Sequence, residues 1–513
     1  MASKTDRPNI LLVMSDHHNG YALGSEAGHS GRPPVRTPVM DRLAREGLSF
    51  AEARTPTPMC APARAALMSA LYPHANGMWN NNHTPAAMRR DIYPDVRLWS
   101  EHLRSAGYRL RYLGKWHVSD VRSPAAFGWE EPDPIPVGGR AEGGPPGRHP
   151  RNEPYRPRPR EIRLAEPASR APALEHALYQ EREGWPRRVL YATSTTPPEG
   201  TRDGRVTTRA VQMIEEQATW DQPWCLYVGW TNPHDPYVAH GRYLSQYRLE
   251  DLEALRDLPS YADDLRDKPN IYRRLHEQLW GHLPWTELAQ MIRHYCAMIT
   301  FLDEQLGRIL DALERTGQAD NTIMLYTSDH GDYAGAHGLF AKGVPAFDEA
   351  YRVPLLVRWP AGIIRPGRRI DAFVSLIDLG PTLLELAGAP PLSEAHGRSL
   401  LPFLRGETPD GWPDQFVGEF LGHENFYTQR LVRTREFKYV WNAFDYDELY
   451  DLRRDPYETT NRQGDPAYQA VKRDLVARLW RWARATGDII QNAYPLNAIL
   501  PYGPGVAGTE PQP

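Results

Sequence analysis

Hydrophobic positions along this chain fall into two alternating patterns. Near-continuous apolar stretches at 9–14, 110–113, 224–230 and 322–327 predict strands buried on both faces, since a strand with one wet face would alternate polar and apolar residues. Residues 38–46 and 206–216 predict helices. The longest helical signal covers 287–315, where Leu288, Met291, Ile292, Tyr295, Ile299, Leu302, Leu306, Ile309, Leu310 and Leu313 form one stripe that ends near Gly317. Buried strands alternating with helices predict an α/β fold whose mostly parallel central sheet is flanked by helices. Ligands of such sheets gather beyond the carboxyl ends of the strands.

After about residue 406 the pattern shortens to strands at 416–420, 431–432 and 437–441 and a helix at 468–483, which predicts a smaller C-terminal α+β domain. The expected division is a first domain over 1–405, a second over 406–500 and a tail over 501–513. An insertion rich in Pro, Gly and Arg falls near 120–200; 14 of its 30 residues from 131 to 160 are Pro or Gly, which predicts a long loop there. No internal repeat is present.

Composition removes several function classes. Lys and Arg total 60 against 64 Asp and Glu, a net charge of -4 with no basic block, so nucleic acid is not an expected partner. The apolar run at 10–14 is far too short to span a bilayer, and residues 1–8 are polar, so a soluble cytoplasmic protein without a membrane partner is expected. Three cysteines, Cys60, Cys225 and Cys296, cannot build a disulfide framework and leave at least one thiol free.

Polar clusters follow the predicted strands: Ser15-Asp16-His17-His18, Gly114-Lys115-Trp116-His117, Asn232-Pro233-His234-Asp235 and Ser328-Asp329-His330-Gly331. Aspartate and histidine at corresponding strand ends are the ligand types of a divalent cation. A lysine two positions before a histidine on an extended segment would turn both to one face, which pairs Lys115 with His117. Asp332 and His337 are close enough in sequence to join the same pocket or to be solvated loop residues, as are His17 and His18. Cys60-Ala61-Pro62-Ala63-Arg64 opens a predicted helix, and a thiol there with a guanidinium one turn on would sit in a positive field.

Cys60-Ala61-Pro62-Ala63-Arg64 resembles the C-x-P-x-R signature of the sulfatase family, in which a maturation enzyme oxidises the cysteine to formylglycine. Other segments agree in order: 7–16 resembles the opening strand and first metal aspartate, Gly114-Lys115-Trp116-His117 the G-K-x-H element, and Asn232-Pro233-His234 the later P-H motif. Thr327-Ser328-Asp329-His330-Gly331 resembles the second metal segment, Lys342 falls at the late sulfate-binding lysine, and 374–378 and 448–452 resemble structural signatures. The similarity runs over about 7–465. Three positions depart from the pattern. His17 replaces a second aspartate and stands as an open candidate ligand. His330 replaces an asparagine, as in choline sulfatase and phosphonate monoester hydrolase relatives, and Leu67-Met68-Ser69-Ala70 replaces L-x-T-G.

The resemblance implies an alkaline phosphatase-like fold and hydrolysis of a sulfate monoester to an alcohol and inorganic sulfate. It implies a formylglycine nucleophile from Cys60 beside one divalent cation on Asp16, Asp329 and His330 and touching residue 60; calcium is expected, with manganese or magnesium as alternatives. Arg64, Lys115, His234 and Lys342 would hold the sulfuryl group, His234 would protonate the leaving oxygen, and His117 would take the proton when sulfate is expelled. Partners implied are a small sulfate ester, the formylglycine-generating enzyme and further copies of the chain in an oligomer. The alternative on the same machinery is a phosphonate monoester or phosphodiester hydrolase; relatives of that type tend to lack the G-K-x-H pair, which favours the sulfatase.

Overall fold

The structure, a computed structural model, describes residues 7–26, 33–84, 86–130, 163–165, 174–181, 188–423 and 426–491. The loop expected at 131–160 and the tail at 501–513 fall outside them. Fifteen strands are described in chain order: β1 Asn9–Ser15, β2 Leu48–Arg54, β3 Arg109–Gly114, β4 Arg163–Ala165, β5 Leu174–Glu181, β6 Arg188–Ser194, β7 Trp224–Gly229, β8 Tyr237–His240, β9 Thr322–Ser328, β10 Leu355–Arg358, β11 Arg368–Ser375, β12 Gln415–Phe420, β13 Gln429–Thr434, β14 Phe437–Asn442 and β15 Glu448–Asp451.

Seven of them form the central sheet in the order β11-β2-β10-β9-β1-β7-β3. All pairings are parallel except those of β10, which runs against β2 and β9. The predicted mostly parallel sheet is therefore present, and the four strands predicted from apolar runs are its middle and one edge. Strand geometry explains its two covered faces. Leu11 and Val13 of β1 join the core that includes the helix Trp285–Arg315, while Ile10, Leu12 and Met14 join the core on the other face with Ala61, Ala65 and Leu67 of the helix Cys60–Ser69. Sequence reading missed β2, whose LSFAEAR interrupts its apolar residues with Glu52 and Arg54. Both charges are accommodated by pairing: Arg54 meets Glu52 at 2.7 Å and Asp348 at 3.0 Å. The insertion also holds more than loop, since β4, β5 and β6 form a second sheet with β8.

The C-terminal strands β12 to β15 make an antiparallel sheet. Its alternation serves two cores at once. Phe416, Phe420, Leu431, Val440 and Tyr450 face the main core, while Val417, Val432, Tyr439, Trp441 and Leu449 pack on Leu475, Val476, Leu479 and Trp480 of the helix Gln469–Thr486. A buried charge cluster adds a tie to the segment after Cys60–Ser69. His74 Nδ1 contacts Glu419 at 2.8 Å, and Arg430 grips Asp488 through two bonds of 2.6 and 2.9 Å. Each large side chain returned to water costs roughly 1.5–3 kcal/mol, so exposing the five main-core contacts costs on the order of 10 kcal/mol, the size of a whole domain's stability. Deleting the chain from residue 406 is therefore expected to give insoluble protein, and a soluble truncation with a cooperative melt would refute the shared core.

Candidate active site

The carboxyl ends of the parallel strands bring the predicted residues together. β1 leads into Asp16 and His17, β3 into Lys115 and His117, β7 toward His234, and β9 into Asp329 and His330, while Cys60 comes from the helix that follows β2. Asp16, Cys60, Lys115, His117, His234 and Lys342 line one cavity of about 850 Å³. Arg64, Asp329 and His330 are buried and do not belong to that lining.

Cys60 opens a helix whose ten residues are all buried. Alanines at 61, 63, 65 and 66 let it lie close against the sheet, Pro62 sits in the first turn where its missing N–H costs nothing, and the Ala61 N–H donates to Asn81 Oδ1 at 3.1 Å. The helix ends on Ala70 in the left-handed region at φ 58°, the position where the common family sequence carries glycine. Cys60 Sγ lies 3.2 Å from His330 Nε2 and 3.6 Å from Asp16 Oδ1. Burial pushes its thiol up, but Lys115, Lys342 and His330 outweigh this and hold it well below the usual thiol range. Cys225 and Cys296, buried without such neighbours, are pushed up instead.

Arg64, expected to hold the sulfuryl group, is buried and turned onto other partners. Its Nε donates to Asp329 Oδ2 at 2.8 Å, one terminal nitrogen donates to the Lys115 carbonyl at 3.1 Å and to Tyr227 Oη at 3.0 Å, and the other to the Ser15 carbonyl at 3.3 Å. A guanidinium has five N–H groups, and four are engaged in tying together the carboxyl-end regions of four strands, β1, β3, β7 and β9. Arg64 has no face on the cavity and holds Asp329 in place; of the predicted cations, Lys115 and Lys342 line it.

Lys115 is delivered by a close strand crossing. Gly114 has φ 87°, and a Cβ there would lie 1.9 Å from the Gly229 carbonyl oxygen, so only glycine fits beside β7. The Lys115 ammonium then pairs with Asp16 Oδ2. The extended segment expected through His117 stops at Gly114; His117 reaches the cavity because its backbone is left-handed, φ 60°, at a cost of about 1 kcal/mol. Its Nε2 meets His83 Nδ1 at 2.6 Å, and burial drives its pKa down to about 4. His83 was missed in the sequence, although it ends the polar run Asn80-Asn81-Asn82-His83.

Asp16, Cys60, Asp329 and His330 offer ligand atoms that all lie within 4.8 Å of one another. His330 Nδ1 faces the Gly331 carbonyl at 2.9 Å, which makes that nitrogen the donor and leaves the Nε2 lone pair toward the cluster. Burial and the neighbouring Asp16 raise Asp329, against Arg64. Two buried carboxylates, an imidazole lone pair and the atom at position 60 fit a divalent cation. His17 is turned otherwise. Its Nδ1 meets Asp332 Oδ2 at 3.1 Å and its Nε2 meets Lys342 Nζ at 2.5 Å, so both ring nitrogens are occupied. Asp332 lies in a loop but is not solvated: it is fully buried and also accepts from Tyr237 Oη at 2.8 Å and from the Ala334 and Ala341 N–H groups, each at 2.9 Å. His18 and His337 are buried on Tyr326 and Asp263, at 2.7 Å each, and do not line the cavity.

Lys342 Nζ also meets His234 Nε2 at 3.0 Å. Burial and Lys342 press the His234 pKa down, but Asp235, Asp16 and Cys60 outweigh them and raise it. Only one of the two nitrogens can carry a proton along that line, whereas an anion between them accepts from both.

Comparison with known proteins agrees with this geometry. The sulfatase family model matches residues 8–389, and the model of the N-sulphoglucosamine sulphohydrolase C-terminal region matches 335–485. An uncharacterized sulfatase, YidJ, of Escherichia coli (strain K12) is 31% identical over 474 residues, 91% of this chain and 85% of its own length. A choline-sulfatase of Rhizobium meliloti (strain 1021) is 29% identical over 93% of this chain and 87% of its own. The crystal structure of a phosphonate monoester hydrolase of Agrobacterium radiobacter superposes with a TM-score of 0.74 at 23% identity, over 94% of this chain and 96% of that one, a likeness of fold. With a family match over most of its length, this chain belongs to the sulfatase family of the alkaline phosphatase superfamily and is a sulfuric ester hydrolase.

Proposed function

We propose that the chain hydrolyses a sulfate monoester to an alcohol and inorganic sulfate, with residues 1–405 as the catalytic domain and formylglycine made from Cys60. The observation that carries this reading is the placement of Cys60 in the cavity lining with Lys342, 3.6 Å from Asp16 Oδ1 and 3.2 Å from His330 Nε2. A formylglycine hydrate at position 60 supplies the oxygen nucleophile, and a divalent cation on Asp16, Asp329 and His330 supplies charge neutralisation. Calcium is the cation the resemblance implies, while the imidazole of His330 also suits manganese.

The chain's own residues do the rest. Lys115 and Lys342 hold the anionic sulfuryl oxygens, and Arg64 fixes Asp329 and the strand ends beneath them. His234, its pKa raised, donates a proton to the departing alkoxide. His117, kept neutral by burial, takes the proton released at position 60 when sulfate leaves. Cys60 is 1% exposed in a buried helix, so the maturation enzyme must reach it before the chain folds. Lys115 and His117 both line the cavity, the pair that favours a sulfate monoester over a phosphonate monoester or phosphodiester.

The test is intact-peptide mass spectrometry on the Cys60 tryptic fragment, from a host with the maturation enzyme, paired with sulfate release from nitrophenyl sulfate. An aldehyde mass with turnover is expected; an aldehyde with turnover of phosphonate or phosphodiester alone would move the reading to the alternative, and an unmodified thiol with no turnover would sink it. Within this scheme His234→Ala is expected to slow alkyl sulfates by about a hundredfold and nitrophenyl sulfate by far less, because nitrophenolate leaves without a proton. Equal losses on both would remove the proton-donor assignment.

A further inference from the structure

The cavity around Cys60 extends past the groups assigned to sulfate, and its charges are unevenly matched. Its lining holds two carboxylates. Asp16 pairs with Lys115, and Asp235 accepts from Arg188 at 2.7 Å. Lys342 is held between two imidazoles. Arg202 lines the same cavity, half-buried, and makes no hydrogen bond or ion pair among the described residues. The adjacent Asp203 carboxylate is taken: it accepts from the Thr231 and Asn232 N–H groups at 3.0 and 2.8 Å and from Thr231 Oγ1 at 2.9 Å. Those bonds fix the turn that leads to His234, so Arg202 stands on the wall that carries the leaving-group acid.

Beyond its attraction to the neighbouring Asp203, stability gives little account of a cation there. Arg202 is the first residue of the helix Arg202–Gln217, the end where the helix dipole disfavours positive charge, and Thr201 already caps that end by accepting from Gly204 at 3.1 Å. Other lining residues, Leu275, Leu279, Trp280, Phe340 and Val344, give an apolar wall. Among the described residues, a cationic alcohol would find no unpaired carboxylate in this cavity. An alcohol with an apolar face and an anionic substituent would find Arg202, whose planar fork matches a carboxylate or a sulfate.

We propose that the ester hydrolysed here carries a second anionic oxyacid group on its alcohol, bound by Arg202; this rests on the sulfatase reading of the same site. The test compares phenyl sulfate with its meta and para carboxyphenyl counterparts on the wild-type chain, Arg202→Gln and Arg202→Lys. Wild type is expected to favour a carboxylated ester by about tenfold in kcat/KM, the worth of one charge-assisted hydrogen bond. Arg202→Gln is expected to erase that preference and Arg202→Lys to restore part of it, which a purely structural role would not do. An ester with a second sulfate in place of the carboxylate tells the two oxyacids apart by the larger preference. Calorimetric Kd values for the same esters on Cys60→Ala, with and without Arg202→Gln, read the preference without turnover. Preferential binding with no hydrolysis by wild type would sink the sulfatase reading and leave only the anion subsite at Arg202 standing. Equal handling of neutral and carboxylated esters, a preference that survives Arg202→Gln, or preference for a cationic ester such as choline sulfate would overturn it.

Discussion

Cys60→Ala is expected to lower kcat on nitrophenyl sulfate by on the order of 10⁴-fold or more while leaving a folded protein, because it removes the only atom from which the proposed nucleophile is made. The substitution takes away one sulfur from a helix that is held by its alanines, by the Asn81 contact and by Arg64, none of which it touches. Stability should therefore fall by only about 1 kcal/mol, within the range for small deletions in a core. Lys115, Lys342 and His234 remain in place, so the variant should still bind the ester. The measurement is a pair: kcat, and Kd for the ester by calorimetry. Retention of kcat within tenfold would mean that another group attacks sulfur, whatever the mass of the Cys60 peptide. Cys60→Ser makes the contrast sharper, since serine keeps an oxygen at this position but cannot expel sulfate by re-forming an aldehyde.

Asp329→Ala is expected to abolish turnover and to destabilise the fold as well. Asp329 accepts from Arg64 Nε at 2.8 Å and from the His330 N–H at 2.9 Å, and all three residues are buried. Removing the carboxylate leaves the guanidinium charge buried without its partner, a loss of about 3–5 kcal/mol. Asp329→Asn separates the two effects. It keeps an acceptor for Arg64 but withdraws one negative charge from the cation site, so its melting temperature should recover more than its activity. Elemental analysis of the purified proteins reads the cation directly and identifies it. Full metal occupancy in Asp329→Asn together with kcat within tenfold of wild type would refute the placement of Asp329 among the ligands.

Much of the site was legible because its residues sit at strand ends, where sequence and geometry correspond. A short apolar run such as 10–14 reads as a strand buried on both faces, and the residues after it then fall at the sheet's carboxyl edge. That reasoning placed Asp16 and Asp329, and motif spacing placed Cys60 and Lys342. Two assignments changed when contacts replaced spacing. Arg64 follows Cys60 by one helical turn, which suggested a shared ligand, yet the turn points it into the sheet and onto Asp329. Lys115 and His117 do share the cavity, but through a left-handed residue and a glycine crossing instead of a strand's alternation.

The sequence by itself determined the layers of the sheet, the helix that presents Cys60, and the set of acids, imidazoles and lysines available for chemistry, because each follows from local periodicity or from the residues next to a strand end. Only the tertiary structure decided which of them share a charge. Whether a cation meets a substrate or a neighbouring carboxylate depends on contacts between residues as far apart in the chain as Arg64 and Asp329, or Lys342 and His17. Pairing left Lys342 between two imidazoles and Arg202 without a direct ion pair among the described residues, and no local pattern records that outcome, since an arginine at the start of a helix reads the same whether or not it is directly paired.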